Sequence, residues 1–228
     1  MEQFKSVAVI GAGLMGHALA LVHAIGGCQI KMQDVNAEQL EVGMGLVESA
    51  LDTMIMAGAI DDKNRMHILK RIEAVETLDG AVSDADLIVE AVVENIDVKT
   101  FVFREIDKFA PSTAIIASNT SNLDIFPLVP ENRLKNCIIA HWYTPPYIID
   151  LVDLAAGPTS DISVLKDMEK FYLRIGKKPV FLKDGAKVEF NNGIVKVSGP
   201  KGTLAREIAP EISLSITDTV VKVERSSE

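Results

Sequence analysis

Two patterns of apolar and polar positions follow one another along the chain. Residues 6–10 are a short apolar run closed by a glycine-rich turn, the pattern of a buried parallel strand. Apolar and small residues then dominate 14–25, which predicts a helix packed closely on a sheet and ended by Gly26-Gly27. Residues 29–35 read as a second strand. Over 37–75 apolar positions such as Leu40, Met44, Val47, Leu51 and Met54 recur at helical spacing, broken at Gly58-Ala59-Ile60-Asp61-Asp62, whose carboxylates can cap a following helix. Strands are predicted at 85–92, 114–117, 136–141, 151–155 and 178–182, with amphipathic helices at 98–109 and 161–175. Strands alternating with helices mean a mostly parallel sheet covered on both faces.

At Gly185 the pattern changes. Residues 188–190 and 194–197 flank Asn191-Asn192-Gly193, a hairpin signal, and Gly199-Pro200-Lys201-Gly202 is a second turn. Residues 212–216 and 220–223 alternate around Thr217-Asp218-Thr219. The reading is two domains: 1–184 is α/β, and 185–228 is a small antiparallel β appendage, too short to hold a large core alone.

The run Gly11-Ala12-Gly13-Leu14-Met15-Gly16 sits where a strand gives way to a helix. In that context the first glycine permits the tight turn, the second lets the backbone approach a pyrophosphate, and the third lets helix pack on strand. Helix N-terminal amides then favour phosphate charge. Asp34, near the end of the second strand, is placed to accept hydrogen bonds from the adenosine ribose. No Arg or Lys follows it to take a 2′-phosphate, so NAD is favoured over NADP. The alternative is a glycine turn without a ligand. The fold class is a Rossmann-type doubly wound, mostly parallel sheet with a helical arm at 37–75.

Composition narrows the class. The 228 residues are 48% hydrophobic and 24% charged, ordinary for a soluble globular protein. A net charge of −9 argues against nucleic acid as the partner of the whole chain. Residues 1–173 carry 13 Lys+Arg against 25 Asp+Glu, −12, whereas 174–228 carry 10 against 7, +3. Cys28 and Cys137 lie in apolar surroundings outside any Cys/His cluster, so they read as buried reduced thiols, suited to the cytoplasm, and no metal site is expected. The N-terminus lacks a signal pattern, and no apolar stretch reaches the ~18 residues of a membrane span.

The segment Asp84-Ala85-Asp86-Leu87-Ile88-Val89-Glu90-Ala91-Val92-Val93-Glu94-Asn95, with Ser118-Asn119-Thr120-Ser121 and His141-Trp142-Tyr143-Thr144-Pro145-Pro146, resembles the L-3-hydroxyacyl-CoA dehydrogenase family over about residues 5–184. The Pro145-Pro146-Tyr147 variant is also similar to relatives acting on smaller hydroxy acids, the lambda-crystallin-like gulonate dehydrogenases. The resemblance implies an NAD-dependent oxidoreductase of fatty acid metabolism, taking an acyl-CoA or a hydroxy acid. It puts the catalytic base at His141, a residue type whose proton affinity suits the task. Asp153 stands where the family has a glutamate that orients the imidazole. It is one methylene shorter, so the contact lengthens or needs a water. By the same resemblance Ser121 contacts substrate and cofactor, and Glu94, Lys99 and Asn119 join Gly11, Gly13, Leu14, Met15, Gly16 and Asp34 on the cofactor. For Ser121, Glu94 and Lys99 a solvated loop or helix-face role is the alternative.

Three departures stand out. Thr144 replaces the family's asparagine, Asp150 adds negative charge near the base, and the family's helical C-terminal domain is replaced. Residues 174–228, with Arg174 to Val180 and Gly199-Pro200-Lys201-Gly202-Thr203-Leu204, are similar to the N-terminal segment of bacterial large-subunit ribosomal protein six. The chain therefore reads as a chimera in which NAD binding is retained and turnover is impaired. The second reading is a ribosomal-RNA-binding module acting through the β segment. An uncovered sheet face in that segment predicts exposed apolar surface, hence a homo-oligomer or docking onto the first domain.

Overall fold

The computed structural model describes residues 4–182 and the segments 187–191, 194–199, 202–207, 212–216 and 221–225. The chain divides into two units, Met1–Phe181 and Leu182–Glu228.

The first unit is an eight-stranded sheet. Its strands are β1 (Ser6–Ile10), β2 (Gln29–Gln33), β3 (Ile72–Val75), β4 (Leu87–Glu90), β5 (Ile115–Ser118), β6 (Cys137–Trp142), β7 (Leu151–Ala156) and β8 (Lys178–Phe181). They lie in the order β3-β2-β1-β4-β5-β6-β7-β8, and all neighbours are parallel except β6 and β7. The order reverses direction between β1 and β4, and the crevice beyond the carboxyl ends of strands at such a switch point is where α/β sheets bind ligands. This is the Rossmann-like α/β architecture read from the sequence.

Strand alternation sorts the core into two layers. Val7 and Val9 face one side, packing with Leu19, Leu21 and Val22 of α1 (Gly16–Ile25), Val47 and Leu51 of α2 (Ala37–Met56), and Met168 and Phe171 of α6 (Ile162–Arg174). Ala8 and Ile10 face the other, against Ala81 and Val82 of α4 (Leu78–Val82) and Phe103 and Ile106 of α5 (Ile96–Phe109). Helix α1 is buried nearly all round, and Ala18, Ala20 and Ala24 let it lie close to the sheet. Asn36, Asn95 and Asp161 cap α2, α5 and α6, each side chain accepting from a backbone N–H in the first turn. His23 stacks among Trp142, Phe171 and Tyr172, and burial pushes its pKa down to about 4, so the ring is neutral. Burial likewise drives the free thiol of Cys28 up to about 11, and that of Cys137 higher still.

The helical reading of 37–75 needs correction at its end. After α2 come a 3-10 turn (Asp62–Asn64) and α3 (Arg65–Leu69), and then Ile72–Val75 forms the edge strand β3 instead of helix. Only Ile72 is fully buried there, so the four residues carry little period-2 signal, and pairing with β2 decides their conformation. The short helix α4 was not anticipated either. Thr77 caps it, its side chain accepting from the Gly80 N–H.

In the second unit β9 (Lys187–Asn191), β10 (Ile194–Gly199) and β11 (Gly202–Glu207) make an antiparallel sheet, and β12 (Ile212–Ile216) pairs antiparallel with β13 (Val221–Arg225). The expected turn residues Asn192-Gly193, Pro200-Lys201 and Thr217-Asp218-Thr219 lie outside the described residues. Among the described residues no helix is long and apolar enough to cross a membrane.

Core packing gives a direct check. Leu19 has no exposed surface and Met56 is 89% exposed. Leu19→Ala is expected to cost about 2–5 kcal/mol in urea unfolding followed by helical circular dichroism. Met56→Ala should stay within about 0.5 kcal/mol of the parent.

Candidate active site

The carboxyl ends of β1, β4, β5 and β6 bring the candidate residues to one edge of the sheet. Behind β1, Gly11 has φ +99°, a left-handed conformation that glycine adopts freely, and a Cβ there would stand 2.7 Å from the Ala91 carbonyl oxygen. A Cβ on Gly16 would stand 1.7 Å from the Gly11 carbonyl oxygen, so loop and helix meet only because that side chain is absent. At Gly13 an added Cβ would meet nothing within 4 Å. The loop is therefore closed where it packs and open at Gly13, as a cradle for a pyrophosphate must be. Leu14 is exposed and Met15 partly buried. Asp34 accepts from the Ala12 N–H at 2.9 Å, which ties the end of β2 to this loop.

A buried ionic cluster lies under the next two strand ends. Glu90, fully buried at the end of β4, accepts both Lys99 Nζ contacts at 2.7 and 2.9 Å, the Val92 N–H at 2.9 Å and the Ser118 hydroxyl at 2.5 Å. Lys99, on the inner face of α5, is 1% exposed and also reaches Glu94 Oε2 at 3.1 Å. It lies beneath the site surface, in contact with these two carboxylates. Glu94 Oε1 accepts from the Thr120 hydroxyl and the Ser121 N–H, each at 2.7 Å, so it fixes the loop after β5. Partial burial works to raise the Glu94 pKa, but these donors and the Lys99 ammonium hold it below the usual carboxylate range.

That loop carries Asn119 and Ser121 to β6. Asn119 Oδ1 accepts the Trp142 N–H at 2.9 Å, and Ser121 Oγ lies 3.1 Å from His141 Nε2. His141 and Asp153 face each other across the antiparallel β6–β7 pair, yet Nδ1 and Oδ2 are 3.9 Å apart, beyond hydrogen-bond distance. Asp153 Oδ2 instead accepts the Tyr143 hydroxyl at 2.6 Å. The His141–Asp153 contact is thus long, and the carboxylate's short hydrogen bond goes to the phenol. The tyrosine was missed, although it lay inside the quoted motif, because a phenol on an apolar motif position reads as packing.

Two of the departures also find partners. The Thr144 hydroxyl donates to Met15 Sδ at 3.0 Å, joining the histidine loop to the glycine loop. Asp150 pairs with Lys178 at 2.7 Å, and that ammonium holds its carboxyl below the usual range. Lys177 donates to the carbonyl of Pro146 at 2.6 Å and so anchors the loop between β6 and β7. Burial lowers its pKa. Glu90 and Ser118 were also missed. The available signal was a lone carboxylate in an apolar strand with a lysine nine positions on.

Residues 6–185 match the family described as "3-hydroxyacyl-CoA dehydrogenase, NAD binding domain". The chain belongs to that family. Among its relatives, the 3-hydroxybutyryl-CoA dehydrogenase of Bradyrhizobium diazoefficiens is 32% identical over 181 residues, covering 79% of this chain and 61% of that protein. The fatty acid oxidation complex subunit alpha of Psychrobacter arcticus is 33% identical over 184 residues, 80% of this chain and 26% of that one. The crystal structure of (S)-3-hydroxybutyryl-CoA dehydrogenase PaaH1 from Ralstonia eutropha superposes with a TM-score of 0.75 at 27% identity, covering 80% of this chain and 65% of that one. The Escherichia coli 3-hydroxybutyryl-CoA dehydrogenase structure gives 0.74 at 26% identity, covering 78% and 38%. The chain thus spans less than two thirds of these relatives' lengths. NAD is the cofactor named for this domain family, and the open cradle at Gly13 fits a dinucleotide.

The Glu94 network has a measurable signature. A carboxylate held below its ordinary value stabilises the fold fully above about pH 4.3, the unfolded glutamate's value. That contribution is lost as pH falls through the lower folded value. Glu94→Gln should therefore flatten the pH dependence of the urea midpoint below about pH 4.3. An unchanged slope would show that Glu94 is not so held. Lys99→Met, which strands the buried Glu90 carboxylate, should cost about 3–5 kcal/mol in the same assay.

Proposed function

We propose that this chain is an NAD-dependent oxidoreductase that converts an L-3-hydroxyacyl-CoA, or a related small 3-hydroxy acid, to the 3-keto product. The observation that carries the reading is the Ser121 Oγ to His141 Nε2 contact of 3.1 Å beside a dinucleotide cradle, in a chain of this family. The relatives named as 3-hydroxybutyryl-CoA dehydrogenases and fatty acid oxidation subunits support the substrate class.

In this reading Gly11, Gly13, Leu14, Met15 and Gly16 hold the pyrophosphate, Asp34 the adenosine ribose, and Glu94 and Asn119 line the nicotinamide side. Lys99 acts through Glu94. NAD supplies the two-electron acceptor. His141 carries its ring proton on Nδ1, toward Asp153, which leaves Nε2 free to accept the proton of the substrate hydroxyl. Ser121 Oγ sits against Nε2 and orients that hydroxyl. The Asp153 carboxylate, 3.9 Å from Nδ1, stabilises the imidazolium that results. The domain limits of the reading are 1–184 for the cofactor and 185–228 for the β segment, in a cytoplasmic setting.

Calorimetric titration tests the first half. NAD should bind saturably, and Asp34→Ala should weaken binding by about tenfold, the loss of one hydrogen-bonded carboxylate. Absence of any NAD affinity in the parent chain would refute the reading. For the second half, His141→Ala should leave NAD affinity intact and lower acetoacetyl-CoA reduction by about 10²–10⁴-fold. Equal activity in parent and variant would remove His141 from its role.

For residues 185–228 a second reading, contact with ribosomal RNA, is favoured by one observation, the +3 charge of residues 174–228 with 10 Lys+Arg against 7 Asp+Glu. Salt-dependent binding of ribosomal RNA that disappears on deleting 185–228 would support it, and no binding at low salt would discard it.

A further inference from the structure

The Tyr143 hydroxyl and the His141 imidazole converge on the same oxygen. Asp153 Oδ2 is 2.6 Å from Tyr143 Oη and 3.9 Å from His141 Nδ1. The two rings lie edge to face with centroids 4.9 Å apart, so both approach the carboxylate from the end of β6 and the residue just after it, while Asp153 stands opposite His141 on β7. Asp153 and His141 are 13% and 25% exposed, which leaves water limited access to compete.

We propose that Tyr143 is a positioning residue of the His141 centre, holding the Asp153 carboxylate on its own hydroxyl and away from the imidazole. The inference rests on the reading of His141 as the base.

The geometry decides between the two partners. A phenol donating at 2.6 Å to a carboxylate is a short, charge-assisted hydrogen bond, whereas 3.9 Å between nitrogen and oxygen is an electrostatic contact without one. The bond stabilises the neutral phenol, and the Tyr143 pKa is accordingly raised by Asp153. A carboxylate that spends one oxygen on a phenol has less negative charge to offer a second donor. Asp153 therefore orients Nδ1–H only loosely, and Tyr143 determines how loosely. A glutamate at 153 would reach further by about 1.5 Å, one carbon–carbon bond, enough to close the gap to Nδ1 once the phenol is gone.

The consequence is a coupling between positions 143 and 153. In the parent chain the carboxylate belongs to tyrosine. With Tyr143→Phe it is released and can turn to Nδ1–H. With Tyr143→Phe and Asp153→Glu together, the histidine–carboxylate bond forms directly.

Proton and ¹⁵N NMR of the full chain, labelled at histidine and tyrosine and free of substrate, reads this without reference to turnover. The parent should show a slowly exchanging, downfield tyrosine hydroxyl proton, absent in Tyr143→Phe and in Asp153→Asn, and no downfield Nδ1–H from His141. A downfield Nδ1–H should appear in Tyr143→Phe, strengthen in the Tyr143→Phe/Asp153→Glu double variant and be absent in Asp153→Asn. A role confined to packing would not move a ring-proton resonance of a neighbouring histidine. A parent spectrum without the tyrosine hydroxyl proton, or with a His141 Nδ1–H already bound to carboxylate, would overturn the proposal even if no variant folds. An unaltered His141 spectrum in a folded Tyr143→Phe would also overturn it. Calorimetric NAD titration of the same samples separates the two claims. Lost cofactor binding with the spectral pattern intact refutes the oxidoreductase reading alone, and the reverse refutes the tyrosine inference alone.

Discussion

A carboxylate with no exposed surface at the carboxyl end of β4 is the constraint around which this site is built. Glu90 must be compensated, because an unpaired buried charge costs several kcal/mol even after relaxation. Lys99 supplies the counter-charge, Ser118 and the Val92 N–H take the remaining lone pairs, and each of these contacts fixes a different piece of chain. Ser118 ends β5, Val92 starts the segment leading to α5, and Lys99 stands on α5 itself. One buried group thus locks together the strand ends that face the glycine loop. Lys99 passes the same constraint outward to Glu94, whose other oxygen holds Thr120 and Ser121. The position of Ser121 against His141 is therefore set from beneath, by Glu94, which the buried Glu90–Lys99 pair holds in turn.

The proposed base centre at His141 is held less tightly than this frame. His141 has Ser121 on one nitrogen at 3.1 Å and an aspartate at 3.9 Å on the other, with a tyrosine competing for that aspartate. The loop after β6 is tied at two points, by Thr144 to Met15 and by Lys177 to Pro146. Positions that would look independent in a sequence, Tyr143, Thr144, Asp150 and Asp153, each meet a partner. Asp150, the apparent intruder beside the base, is neutralised by Lys178.

Much of the fold could be read from sequence because the information was local. A glycine loop between strand and helix, apolar runs at β1, β4 and β5, and helical spacing in α2, α5 and α6 all agree with their surroundings, so each element could be read alone. The strand β3 could not be read, since its conformation comes from pairing with β2 and three of its four residues are not buried. The site divides the same way. Gly11, Gly16 and Asp34 are fixed by backbone geometry that three glycines and an acid announce. The Glu90–Lys99–Glu94 cluster spans strand, helix and loop, and the fate of Asp153 depends on a phenol just past the end of the neighbouring strand. Those are tertiary facts, visible only once α5 lies on the sheet and β6 and β7 are side by side.

In the proposed function the glycine loop and the loop after β5 form one cofactor site on a common buried frame. Amide hydrogen exchange of the parent chain, with and without saturating NAD, tests it directly. Slowed exchange is expected together in residues 11–16 and 119–122, with the buried strands β4 and β5 already protected in both states. Protection confined to one of the two loops, or absent from both, would contradict it.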